Sequence, residues 1–473
     1  MIPVPGFEGR RIAVFGLGRS GLTAARALKA GGALPVLWDD SVSSRMQAEA
    51  EGFDVEDLTV ADWSGFAALV LSPGAPLTHP KPHWTVDKAH EAGIEIVGDI
   101  ELFARAVAAL PTAERPIVVA ITGTNGKSTT TALIGWVLKR AGMTVHVGGN
   151  IGIGVLALPA PTTGAVYVIE VSSYQLDLTT SFAPTIAVLT NISPDHLDRH
   201  GGLQGYVAAK KKIFGARATH KYVGVDDPEG QEIVAELKAA RDAVDEVSVT
   251  RALEGVTGLY LQDGWLCYNV RSGPKAPIEA CRVVDLSTAR SLPGRHNAQN
   301  AAFAFLVATD MGLPHDTVIE GLLSFPGLAH RMEEVGRLGT VRFVNDSKAT
   351  NADAARQALA SYERSFWIAG GRAKQGGIDD LEELFPRVVE AFLIGEAAGP
   401  FAARLGDTPH RISGDMATAV QQAYEAAAAT GREEVVLLSP AAASFDQFPD
   451  FEVRGEAFRA AVLGLGATPA SPT

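Results

Sequence analysis

An apolar run over 117–121 breaks into Gly123-Thr124-Asn125-Gly126-Lys127-Ser128-Thr129 and then into a helical stretch predicted over 128–139. Glycines between a buried strand and a helix let the backbone curl until several N–H groups face one point, where an anion is held. A lysine beside them neutralises outer phosphates, and Ser128 is placed to reach a magnesium ion. The spacing departs from the usual G-x-x-x-x-G-K-S, because Ile121 stands where the first glycine would be and Gly123 is closer to the lysine. A strand–loop–helix unit of this kind belongs to a parallel sheet whose ligands gather at the carboxyl ends of its strands. The loop therefore predicts binding of a nucleoside triphosphate.

A second glycine loop lies earlier. Gly16, Gly18 and Gly21 form G-x-G-x-x-G between a strand over 11–15 and an Ala/Leu-rich helix running to Ala30, and Asp39 ends the next strand, 35–38. That context favours a diphosphate at the helix start and a ribose hydroxyl on Asp39, but it does not separate a nicotinamide cofactor from a UDP-sugar. A third strand, 67–71, stops at Ser72-Pro73-Gly74. Further strands are expected at 165–171, 186–189, 341–344, 366–369, 391–394 and 435–438, with a helix over 296–310 and only short β-rich runs legible between about 240 and 290.

The 473 residues suggest roughly three domains at about 150 residues each. The expected fold is α/β in three domains: a Rossmann-like N-terminal domain over 1–98, a central P-loop ATPase-type domain over 99–327, and a C-terminal Rossmann-like domain over 328–473. Lys and Arg number 41 against 54 Asp and Glu, a net charge of −13, which argues against nucleic acid as a partner. Two cysteines leave no disulfide framework, and no apolar run approaches the ~18 residues of a membrane span. A cytoplasmic protein without a membrane partner is expected.

Glu170 closes the strand over 167–169, where a carboxylate in the same sheet as the phosphate loop can hold Mg²⁺. Asp195-His196-Leu197-Asp198 follows the strand over 186–189, which makes His196 a metal-ligand candidate. By spacing alone, Lys210, Lys211 and Lys212 are a solvated helix face.

These segments, together with Glu170-Val171-Ser172-Ser173, Asp195 to Arg199, and Gly294-Arg295-His296-Asn297 with Asn300, resemble the Mur ligases, and folylpolyglutamate synthases share part of the set. Within that family, Ser72-Pro73-Gly74, Gly98-Asp99-Ile100-Glu101, Asn345-Asp346-Ser347-Lys348-Ala349-Thr350-Asn351 and Leu438-Ser439-Pro440 through Phe448 resemble the branch that adds D-glutamate. The similarity runs from about residue 11 to Phe458.

The resemblance implies an ATP-dependent amide-forming ligase of peptidoglycan precursor synthesis. Its substrates are UDP-N-acetylmuramoyl-L-alanine, D-glutamate and ATP, and it works through an acyl phosphate and a tetrahedral intermediate. Gly16, Arg19, Ser20, Asp39, Gly74, Asn150 and His196 become UDP-substrate contacts. ATP falls to Gly123, Thr124, Asn125, Gly126, Lys127, Ser128, Thr129, Asn297, Asn300, Arg331 and Asp346. Two Mg²⁺ ions are implied at Ser128, Glu170, His196 and Lys210, the last carrying a CO₂-derived carbamate. The interval from His196 to Lys210 is one residue shorter than the pattern, which leaves Lys211 as the alternative. Lys127, Lys210, His196, Arg331 and Lys348 form the catalytic set, and Thr350, Lys374, Ser444, Phe445 and Phe451 the amino-acid site. A monomer is expected. The competing readings are a dehydrogenase built on the first glycine loop, a P-loop switch with a conformational output, and a diamino-acid-adding relative. The last usually carries Asp-Asn-Pro-Arg, and Asp226-Asp227-Pro228-Glu229 lacks the arginine.

Overall fold

Three sheets of mainly parallel strands carry the chain, in a computed structural model that describes residues 1–215, 220–271, 273, 276–289, 291–373 and 376–470. The first sheet runs in the order Asp54–Val55, Leu34–Trp38, Arg11–Phe15, Phe66–Leu71, Glu95–Val97, all parallel. Its strand order reverses between Arg11–Phe15 and Phe66–Leu71, where a doubly wound sheet opens a crevice. Gly16 and Ser72 follow these two strands, so the first glycine loop lies at that switch point.

The second sheet has nine strands. From one edge they are Ile278–Asp285, Trp265–Arg271, Gly258–Gln262, Asp245–Ser248, His220–Gly224, Ile186–Leu189, Ile117–Thr122, Val166–Glu170 and Val145–Gly149. The strand that feeds the phosphate loop thus lies between the strand ending in Glu170 and the one leading to Thr190-Asn191. The first two strands pair antiparallel, as part of a meander with Gly258–Gln262. This meander was hardly legible beforehand, although Asp263-Gly264 is a strong two-residue hairpin signal. Both residues have positive φ (51° and 82°), as a type I′ turn requires.

The third sheet orders His410–Gly414, Val388–Ile394, Ser365–Gly370, Glu434–Leu438, Val341–Asn345, Glu333–Leu338 and Thr468–Pro469, with only the last two strands antiparallel to their neighbours. Alternate residues of its middle strands serve opposite cores. Trp367, Leu437 and Val344 pack on one face, and Phe366, Ile368, Val436 and Phe343 on the other. Burial on both faces explains why these strands read as unbroken apolar runs.

The chain divides into two compact units, Met1–Asp285 with Ala298–Leu322, and Leu286–Asn297 with Leu323–Thr473. In the first unit the first two sheets share one core, in which Ile12, Val14 and Leu28 join Val118, Leu156 and Tyr167. No helix among the described residues is long and apolar enough to cross a membrane.

A buried carboxylate helps fasten this unit. Glu101, on the helix Asp99–Ala108, accepts from the amides of Thr180 and Ser181 at 2.9 Å each, from both of their hydroxyls, and from Arg105 Nε at 3.0 Å. Burial alone would raise its pKa, but the bonds from Ser181 and Thr180 outweigh burial and hold it at about 2. A depressed carboxyl pKa contributes stability above the unfolded value of 4.5, and that contribution is lost as pH falls toward 2. Glu101→Gln is therefore expected to cost about 3 kcal/mol at pH 7. Urea midpoints for the two proteins should converge as pH falls from 4.5 to 2; a gap that stays constant with pH contradicts this account.

Candidate active site

Gly123 and Gly126 sit at φ 143° and 80°, backbone that glycine adopts without strain. Space forbids a side chain as well. A Cβ at Gly123 would stand 1.9 Å from Thr190 Oγ1, and one at Gly126 would stand 2.5 Å from Asn300 Oδ1. Two further segments brace the loop. Thr124 N donates to Asn191 O (2.8 Å), Asn125 N to Asn191 Oδ1 (2.9 Å), and Thr190 Oγ1 to Asn125 O (2.7 Å). Asn300 Oδ1 accepts from Thr130 Oγ1 (2.9 Å), and Asn191 Nδ2 donates to Gln299 Oε1 (3.0 Å). Thr190, Asn191 and Gln299 had no assigned role. Their signal was position, since Thr190-Asn191 directly follows the strand beside the loop's own.

The helix Lys127–Arg140 begins at Gly126 with no side-chain cap, so its first N–H groups remain directed at a ligand position. Lys127 Nζ donates to the carbonyls of Gly123 (3.0 Å) and Thr124 (2.7 Å), and Thr129 lies in the first turn. Ser128 Oγ donates to Glu170 Oε2 at 2.5 Å, and Asn150 Nδ2 to Glu170 Oε1 at 2.9 Å. A buried carboxylate and a hydroxyl at the loop are hard oxygen donors of the kind Mg²⁺ takes.

Lys210 belongs to the same cluster. It is 1% exposed on the helix Leu203–Lys211, donates to Gly123 O at 2.6 Å, and lies 4.6 Å from the Tyr206 ring centroid. Tyr206 OH in turn meets Thr124 Oγ1 at 3.0 Å. Burial, reinforced by the Lys127 charge, lowers the Lys210 pKa well below the usual lysine value against the pull of Asp195 and Glu170. Lys211 instead pairs with Glu236, and Lys212 with Asp177. His196 caps a short helix at φ 53°, with Nε2 3.3 Å from Asp195 Oδ2 and its ring 4.9 Å from that of Tyr174. Among the described residues no three His, Cys, Asp or Glu side chains form a metal cluster. The expected set, with its serine and lysine, is of another kind.

At the first glycine loop, a Cβ on Gly16 would stand 2.4 Å from Ser72 Cβ, whereas Gly18 faces open space. Asp39 accepts from Leu17 N (2.6 Å) and Ser41 N (2.8 Å), which fixes its carboxylate against the loop. Arg19 donates to Gly152 O (2.9 Å), and Ser20 and Gln175 bond to buried Asp99. Gly74 O accepts from Arg199, whose guanidinium lies 4.5 Å from the Tyr174 ring centroid.

The second unit holds the remaining candidates. Asp346 is buried, and desolvation pushes its pKa up to about 7 against a 2.9 Å bond from Ser439 Oγ and the charge of Arg331. Lys348 lies 3.8 Å from the Phe451 ring centroid, and Thr350 N donates to Lys348 O. Ser444 is buried and Phe445 is 65% exposed. Asn297 Nδ2 donates to Pro293 O, and Arg331 N to Leu328 O. Lys374 lies outside the described residues.

A glycine-lined phosphate loop on a parallel sheet, with a carboxylate ending the adjacent strand, defines a nucleotide-binding α/β protein of the phosphate-loop class. The chain belongs to the Mur ligase family. Residues 121–308 match the Mur ligase middle domain, and residues 330–442 match the Mur ligase glutamate ligase domain. It is 60% identical to the UDP-N-acetylmuramoylalanine–D-glutamate ligase of Caulobacter sp. strain K31 over 98% of both chains. It is 59% identical to the protein of the same name from Phenylobacterium zucineum, again over 98% of both. The fold is shared with the UDP-N-acetylmuramate–alanine ligase of Thermotoga maritima, at TM-score 0.58 and 16% identity, covering 96% of this chain and 99% of that one. It is shared too with the MurF ligase of the same organism in complex with ADP, at TM-score 0.57 and 16% identity, covering 97% and 96%.

Proposed function

We propose that this chain joins D-glutamate to UDP-N-acetylmuramoyl-L-alanine at the expense of ATP, releasing ADP and phosphate. The observation that carries the reading is 60% identity, along 98% of both chains, to a protein named for that reaction. The muramoyl-alanine carboxylate attacks the γ-phosphoryl group and ADP leaves. The D-glutamate amine then attacks the acyl phosphate, and the tetrahedral adduct expels phosphate. Both partners of the first step are anions, so the chemistry rests on charge placed where they meet. Lys127, Arg331 and Lys348 supply it from the protein. Ser128 and Glu170 would hold one Mg²⁺, and His196 with carbamylated Lys210 a second, and these ions would supply further positive charge. Little general-base strength is needed, because the acyl group is already activated.

The domain limits 1–98, 99–327 and 328–473 are part of this reading, with the first domain for the UDP moiety, the second for ATP and the third for the amino acid. Gly16, Arg19, Ser20, Asp39, Gly74, Asn150 and His196 contact the UDP substrate. The loop from Gly123 to Thr129, with Asn297, Asn300, Arg331 and Asp346, holds ATP. The amino acid is held by Thr350, Lys374, Ser444, Phe445 and Phe451. The protein works as a cytoplasmic monomer.

Acceptor choice tests the reading. A dicarboxylic amino acid pinned at both carboxylates aims its amine in one direction only, which selects one enantiomer. Each charge-assisted bond contributes about 1.5–3 kcal/mol, so losing one carboxylate costs roughly tenfold or more. Phosphate release with UDP-N-acetylmuramoyl-L-alanine is expected to be at least tenfold faster for D-glutamate than for L-glutamate or D-alanine. Comparable rates for the two enantiomers refute it.

A further inference from the structure

Arg454, on the helix Phe451–Gly464, is 0% exposed and has no place in the catalytic scheme above. An arginine is seldom fully buried unless paired. Here the guanidinium forms no ion pair among the described residues and is held instead by neutral acceptors. Nε donates to Ser347 Oγ (3.0 Å), Nη2 to Ser347 O (2.7 Å) and Nη1 to Ala442 O (3.0 Å). A Cβ at Gly371 would stand 3.1 Å from Nη1. Ser347, Gly371 and Ala442 follow Val341–Asn345, Ser365–Gly370 and Glu434–Leu438, three adjacent strands of one sheet. One side chain therefore bonds two neighbouring strand ends and packs close to a third, where ligands of a parallel α/β sheet collect.

The joined segments are those that bear the amino-acid candidates. Ser347 immediately precedes Lys348, and Ala442 stands two residues before Ser444. Ser347 Oγ also donates to Phe451 O (2.8 Å), which ties in the ring that Lys348 faces. Next along the helix, Gly455 makes room for His330, since a Cβ there would stand 2.2 Å from its Nδ1. His330 O receives the amide of Lys348 at 3.1 Å, and Asn345 Nδ2 bonds both His330 Nδ1 and Gly455 O. Arg454-Gly455 thus fixes both sides of the segment 345–350. The buried charge is itself telling. Desolvation lowers the Arg454 pKa to about 10, with Asp446 and Asp346 opposing the fall, so the group stays cationic at neutral pH. Those two carboxylates offset the buried charge without a direct ion pair, and the fork is left to hold hydroxyl and backbone acceptors.

We propose that Arg454 is a positioning residue for the amino-acid acceptor: it locks the segments 345–350 and 441–448 together beneath the acceptor site. This rests on the reading that the second unit takes the acceptor. A fork with three acceptors in set directions is a task for arginine that lysine performs only in part.

The test compares Arg454→Gln, Arg454→Lys and Ser347→Ala in the full chain, with KM measured separately for D-glutamate, ATP and UDP-N-acetylmuramoyl-L-alanine. Arg454→Gln is expected to raise KM for D-glutamate on the order of tenfold, with the other two KM values within about twofold. Arg454→Lys should recover part of that loss, because an ammonium can keep some of the three bonds. Ser347→Ala should move the D-glutamate KM in the same direction by a few-fold, and it decides the matter if neither arginine variant folds. A merely structural arginine would lower Tm and shift all three KM values together. That pattern, or a D-glutamate KM within twofold of wild type in every folded variant, overturns the proposal. The wild-type acceptor profile separates the two readings. If another dicarboxylic amino acid is the acceptor, the same KM comparison is made with it, whereas a wild-type chain that accepts no amino acid sinks both.

Discussion

Lys127→Ala is expected to lower kcat about a thousandfold or more while shifting Tm by only a few degrees. The side chain is only part-buried, and Nζ donates to carbonyls of its own loop, Gly123 O and Thr124 O. Gly123 O keeps its bond from Lys210 Nζ after truncation and only Thr124 O loses a donor, so the folding cost is about 1–2 kcal/mol. The catalytic cost is of another order, because charge developing on a transferring phosphoryl group loses its nearest loop cation. Glycine placement should survive, since Gly123 and Gly126 are fixed by contacts with Thr190, Asn191 and Asn300 rather than by the lysine. The substitution also reaches Lys210. The Lys127 charge is one of the forces lowering the Lys210 pKa, so its removal should leave that amine more basic. Circular dichroism, Tm and phosphate release on one preparation check the prediction. A well-folded variant with wild-type turnover removes the loop from the catalytic scheme.

How much of this could be read beforehand depends on how local each signal is. The phosphate loop, Glu170 and the strand before Asn191 are short-range patterns, and the strands at 35–38, 67–71 and 366–369 proved to be Leu34–Trp38, Phe66–Leu71 and Ser365–Gly370. These runs are buried on both faces, so hydrophobicity alone marks them. The meander between Gly258 and Asp285 mixes buried and exposed positions and includes four consecutive exposed residues, Glu279, Ala280, Cys281 and Arg282, which hides it from an apolar-run search. Asp263-Gly264 was the usable clue. The Arg454–Ser347 bond lies beyond any such reading. It links residues 107 apart, and an arginine within a predicted helix is by default a surface residue. Lys210 shows the same limit in milder form. Three consecutive lysines look like a solvated face, yet helical geometry turns one inward to Gly123 and leaves Lys211 and Lys212 to surface carboxylates.

Lys210→Ala should be nearly inactive, with kcat down about a thousandfold, and a short carboxylate such as formate or acetate should restore part of the activity. The argument begins with the amine. An exposed lysine is protonated in all but about one molecule in a thousand at pH 7, and an ammonium cannot attack CO₂. Burial at 1% exposure, with Lys127 close by, favours the neutral form of Lys210. The neutral nitrogen adds to the carbon of CO₂ and loses one proton, leaving a carbamate anion where a cation would otherwise stand. That reversal of sign suits a position on the phosphate loop, at Gly123 O, where an anionic oxygen would serve with His196 to hold a Mg²⁺ ion. Alanine removes the anion and leaves a space that a small carboxylate fits, which is why rescue discriminates chemistry from misfolding. Lys210→Met serves as the packing control: it preserves much of the volume, should hold Tm close to wild type, and should resist rescue because its side chain fills the site. Lys211→Ala should stay within about twofold of wild type, since its partner is Glu236 at the surface. A fully active Lys210→Ala with an inactive Lys211→Ala reverses the assignment, and an inactive Lys210→Ala that no carboxylate restores rules out the carbamate account.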